Sequence, residues 1–74
     1  MRKDVLKLQR DIIEGAPKGC SAYDRYAYNS FSHTAQYLSY SAQSDTEREF
    51  CMWLKGVAVK KAEELVKRTQ EASR

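Results

Sequence analysis

SAYDRYAYNSFSHTAQYLSYSAQ, residues 21–43, is the stretch on which the fold turns. It holds one positive residue (Arg25), one negative residue (Asp24) and all five tyrosines of the chain. Tyr and Phe suit strands, so YAYNSF invites a β reading. The alternation does not persist, however, and no second strand stands ready to pair with it. At ~100° per residue the stretch resolves instead into two helical stripes. Ala27, Phe31, Thr34, Ala35, Leu38 and Ala42 make one; Tyr23, Tyr26, Ser30, His33, Tyr37 and Tyr40 make the other. The stripes are adjacent and together cover more than half the circumference. Tyr and Ser are middling helix formers, so this helix depends on packing and is expected to lie between two neighbours.

Upstream, GAPKGC (residues 15–20) reads as a loop. Gly15 is suited to the left-handed residue that ends a helix, and Pro17 cannot continue one. The residues before it, 2–14, form an amphipathic pattern. Met1, Val5, Leu8 and Ile12 recur along one stripe with Leu6 and Ile13 beside it, while Lys3, Lys7, Arg10, Asp11 and Glu14 fall mostly opposite.

Downstream, Ser44 and Glu47 have the spacing of a capping box, in which the Ser hydroxyl and the Glu carboxylate each take up a free N–H of the first turn. A helix over residues 45–71 follows. Phe50, Trp53, Leu54, Val57, Ala58, Leu65 and Ala72 gather on its apolar face, with Lys61 inside that face and snorkelling outward. Asp45, Glu47 and Glu49 come early and Lys67 and Arg68 late, as the helix dipole favours. Glu63–Lys67 and Glu64–Arg68 are i, i+4 pairs. At ~1.5 Å per residue this helix would reach about 40 Å against about 20 Å for the first, so its C-terminal end should overhang, fray or meet another chain. Short connections favour antiparallel neighbours. The expected fold is all-α and single-domain over residues 1–74. It is a small three-helix bundle, or a long helical hairpin with a short N-terminal helix packed across it.

Composition bounds the function. The chain has 74 residues, 42% hydrophobic and 31% charged, a globular balance rather than a disordered one. A chain this short buries only about 60% of the surface its unfolded form exposes, so a partner chain is a reasonable source of extra stability. No apolar run approaches the ~18 residues of a membrane span. The N-terminus lacks a signal-peptide pattern and two Cys suit a reducing compartment, so we expect a cytoplasmic protein with free thiols. Cys20 and Cys51 should sit at opposite ends of the bundle, too far apart for a disulfide. One His and two distant Cys cannot close a four-ligand zinc site, and no cofactor is expected. Thirteen Lys and Arg against ten Asp and Glu, a net charge of +3, argue against an acidic DNA mimic.

No nucleophile, base and orienting group come together in the sequence, and no glycine loop cradles a phosphate, so we expect no enzyme. What stands out is surface. The stripe of Tyr23, Tyr26, His33, Tyr37 and Tyr40 suits protein binding, since Tyr gives large contact area at low entropy cost; the competing reading is a core seam with hydroxyls emerging at its edge. Met52, Val59 and Val66, seven residues apart on the back of the third helix, suggest a homodimer seam, or else three scattered surface residues. Lys55, Lys60 and Lys61 with the tyrosines give the alternative, a small basic nucleic-acid-binding protein. Against it, the lysines point in different directions around the helix. A helix-turn-helix fits less well, because Asp45, Glu47 and Glu49 would face phosphates. The sequence therefore leads us to expect a non-enzymatic interaction module. It would be a homodimeric accessory protein that binds and modulates a larger protein, of the genre common in phages and mobile elements.

Overall fold

The computed structural model describes residues 2–72. They form three helices: α1 (Lys3–Ile13), α2 (Arg25–Tyr40) and α3 (Asp45–Ala72). No strand occurs among the described residues. α2 and α3 pack closely as an antiparallel hairpin, and α1 lies across it. The 28-residue α3 sets the long dimension of an elongated 46 × 24 × 13 Å molecule.

α1 has eleven residues, too few for a stable helix alone, and it is held by burying Val5, Leu8 and Ile12. Met1, assigned to the same stripe, lies outside the described residues. Gly15 leaves α1 with φ +83°, in the left-handed region where a side chain would be strained. Residues 17–20 then turn back, with the Cys20 N–H donating to the Pro17 carbonyl at 3.0 Å and Gly19 at φ +91°.

α2 is shorter at both ends than its composition suggests. Asp24 is extended and its carboxylate accepts from the Ala27 N–H at 2.9 Å, so this side chain starts the helix at Arg25 rather than at 21. The helix stops at Tyr40, and residues 41–44 are given over to the connection. The buried line also differs from the apolar stripe. Phe31, Ala35 and Leu38 do pack inward, but Thr34 is exposed, and Tyr28, Ser32 and Ser39 are buried in its place. Buried serine is tolerated because each hydroxyl is satisfied locally. Ser32 Oγ donates to the Asn29 carbonyl at 2.7 Å and Ser39 Oγ to the Gln36 carbonyl at 2.6 Å.

Small residues meet across the hairpin. Cys51, Ala58 and Ala62 share the buried side of α3 with Leu54, and Ser32, Ala35 and Ser39 that of α2. Small side chains let two helix backbones approach closely. This shifts the buried face of α3 away from the expected one. Phe50 and Val57 are only partly buried and Trp53 is 54% exposed, because the buried line of α3 runs instead through Cys51, Leu54, Ala58 and Ala62.

Two side chains fasten α1 across the hairpin. At its N-terminal end the Arg2 guanidinium donates to Glu47 Oε1 (2.6 Å), Ser41 Oγ (3.0 Å) and the Leu38 carbonyl (2.8 Å). At its C-terminal end Lys61 Nζ donates to the Ile12 carbonyl at 2.6 Å. A cation there also matches the negative end of the helix dipole. The capping box is consequently half-formed. Ser44 Oγ accepts from the Glu47 N–H at 3.2 Å, but the Glu47 carboxylate turns to Arg2. Neither expected pair late in α3 closes. The ion pairs among the described residues are Arg2–Glu47 and Asp45–Arg48.

Candidate interaction surfaces

With Ala35, Leu38 and Ser39 turned inward, the opposite side of α2 faces out. It carries Tyr26, Tyr37 and Tyr40, which are 65%, 72% and 75% exposed, and His33 and Ser30 are exposed between them. Two of these phenols are tethered. Arg25 donates to the Tyr26 hydroxyl at 2.7 Å, its guanidinium 4.7 Å from the ring centroid, and Gln36 Nε2 donates to the Tyr40 hydroxyl at 2.7 Å. The face is thus aromatic, partly ordered and poor in formal charge.

Tyr23 does not belong to it. Because the helix begins after Asp24, Tyr23 folds back, and its ring meets Tyr28 and Phe31 edge-on at 6.0 and 5.0 Å. Burial pushes its phenol above the ordinary value and the nearby Asp11 carboxylate pushes it further, so Tyr23 links the loop to α1. Tyr28, in neither expected stripe, completes the cluster 5.9 Å from Phe31, with Lys61 Nζ 5.7 Å from its ring.

The stripe of Met52, Val59 and Val66 is divided. Met52 is 46% exposed, Val59 and Val66 are half-buried. Met52 and Val59 border a shallow concavity of about 420 Å³ with Trp53, Gly56, Val57, Lys60 and Glu63. Val66 lies farther along α3, beside Asn29 of α2. Gly56 lines the dip, and an added Cβ there would meet nothing within 4 Å. A mid-helix glycine costs about 1 kcal/mol against alanine. Neither a positive φ nor a close neighbour accounts for it here. Sequence reading missed this surface by assigning Trp53 to the core. The available signal was a tryptophan three residues from an unexplained helical glycine.

The three lysines do not converge. Lys61 is committed to the end of α1, Lys55 is half-buried, and Lys60 is exposed beside the Gly56 dip. Cys20 is exposed in the turn before α2, and Cys51 is fully buried on α3. Burial pushes the Cys51 thiol up, Glu47 adds to the shift and Arg2 opposes it, so it is a poor nucleophile. Among the described residues no group of three or more His, Cys, Asp or Glu is placed to hold a metal ion. No helix there is long and apolar enough to cross a membrane. Every buried side-chain nitrogen or oxygen described has a hydrogen-bond partner. Comparison with protein-family models, with curated proteins and with solved structures found no match to this chain.

Proposed function

We propose that this chain is a non-enzymatic interaction module that docks on a larger protein through the outer face of α2 and modulates it. The observation that carries the reading is the exposure of Tyr26, Tyr37 and Tyr40 along one side of a single helix, with His33 among them. Tyrosine is enriched at interface hot spots because it brings a large rigid ring and a hydroxyl while giving up little side-chain entropy. The tethers from Arg25 and Gln36 reduce the ordering that binding must still achieve. Nothing in the fold requires these rings, since the core is complete without them.

The test is capture from the native host lysate with the tagged chain, in parallel with Tyr26→Ser, Tyr37→Ser and Tyr40→Ser combined, with and without nuclease. The expected result is a protein retained by the wild type through nuclease treatment and lost by the triple variant, whose circular dichroism stays helical. A central tyrosine of this kind contributes about 2 kcal/mol, so Tyr37→Ala alone should weaken the purified complex roughly 30-fold. Equal recovery by wild type and triple variant would overturn the reading. Loss of all captured material on nuclease treatment would favour the nucleic-acid alternative, whose affinity must fall steeply with salt.

A further inference from the structure

We infer that the outer face of α3 around Gly56 docks a second copy of this chain in antiparallel orientation, with the Trp53 ring of each copy seated over Gly56 of the other. The inference uses a different helix from the tyrosine face and goes beyond that reading.

The geometry starts from four exposed positions. Glu49, Trp53, Gly56 and Lys60 fall within about 60° of one another around α3, on the side turned away from Leu54 and Ala58. Gly56 leaves a notch for which the chain itself has no use: its backbone conformation is ordinary and a methyl group would fit there freely. Trp53 supplies a knob one turn away. Its ring leans on Phe50, 5.7 Å between centroids, so it is positioned before any partner arrives. A glycine exposes the helix backbone and admits a large ring to close range, which is what a dip flanked by Met52, Val57 and Val59 offers.

The spacing identifies the occupant. A two-fold symmetric contact must match a surface to itself, each residue meeting its counterpart across the axis. Trp53 and Gly56 are centred on the level between Leu54 and Lys55. So are Glu49 and Lys60. One axis through that level, perpendicular to α3, therefore places both indoles over both notches and both carboxylates against both ammonium groups. It also opposes the two helix dipoles. A parallel copy would set like charges at the same level and face each indole with the other.

The experiment is sedimentation of the full chain from low to high micromolar concentration, followed in parallel by the emission of Trp53, the single tryptophan. The expected wild-type behaviour is a reversible monomer–dimer equilibrium in which dilution shifts the emission to the red. Gly56→Leu fills the notch with a good helix former. It should weaken dimerisation at least tenfold while the thermal midpoint of the monomer does not fall. Glu49→Lys and Lys60→Glu should each weaken the dimer, and the double swap should restore it. Tyr37→Ala should leave the dimer intact, so loss of capture through α2 and loss of self-association are separate outcomes. A monomer at every concentration overturns the inference. So does a dimer that Gly56→Leu leaves unchanged, or a monomer whose capture of a larger protein is abolished by Gly56→Leu.

Discussion

At the residue scale, Arg2 and Glu47 are the pair on which pH should act. Burial alone would raise the Glu47 carboxyl, but the hydrogen bond and charge of Arg2 outweigh it and hold the group below its ordinary value of 4.5. A carboxyl depressed in the folded state contributes stability that is complete above its unfolded pKa and is lost as the pH falls through the lower folded value. The thermal midpoint followed by circular dichroism should therefore decline on acidification below about pH 4.5, and Glu47→Gln should flatten that decline while lowering the midpoint at pH 7. An unchanged acid limb in Glu47→Gln would assign the decline to other carboxylates. Asp24 acts through its cap instead. Asp24→Ala should cost about 1 kcal/mol in a urea titration. It should also release Tyr23, whose place against Tyr28 and Phe31 depends on the helix starting one residue after the cap.

At the element scale, α1 is the part whose helicity is least its own. Its N-cap side chain makes no capping bond to α1, going instead to α2 and α3, and its last carbonyls are met by Lys61 of α3. Lys61→Met keeps the stem of the side chain and removes the donor. It should loosen the end of α1 by about 1 kcal/mol, seen as roughly fivefold faster hydrogen exchange at the last amides of α1 with α3 unaffected. Uniform acceleration across all three helices would show that α1 and the hairpin open together. The helices themselves were legible in the sequence because their boundaries are written in residue chemistry: Gly15 and Pro17 end the first, and Ser44 with its acidic neighbours opens the third. The start of α2 was less so, since Ser21 and Asp24 are both good caps by residue type and the one that bonds a first-turn N–H is Asp24. The buried serines were invisible to hydrophobic periodicity. Ser32 and Ser39 read as polar until their hydroxyls are seen to turn back on their own helix.

At the whole-molecule scale, the surface was half legible. Tyr26, Tyr37 and Tyr40 are exposed at the spacing that marked them out, whereas Tyr23 is half-buried against Tyr28 and Phe31 and Trp53 is 54% exposed. The two exchanges have separate causes: Tyr23 moved because the helix starts after Asp24, and Trp53 because the buried line of α3 runs through Cys51, Leu54, Ala58 and Ala62. A single sequence does not show which small residues will form the α2–α3 seam. That seam also makes Cys51 a reporter on the entire fold. It lies among Val5, Leu8, Ile12, Ala35, Leu38 and Leu54, contributed by all three helices. A domain of this length has a stability of about 5 kcal/mol, so the opened state is populated at roughly one part in several thousand. With Cys20 exposed as an internal reference, a thiol reagent should label Cys20 at once and Cys51 at least about a thousandfold more slowly. Its labelling rate should rise with urea along the slope of global unfolding. Raising the protein concentration through the range of self-association should slow Cys51 further, because a dimer that forms only from folded chains stabilises them. Comparable rates for the two thiols would mean that the core opens without unfolding, and a rate independent of concentration in a chain that dimerises would mean that unfolded chains associate as well.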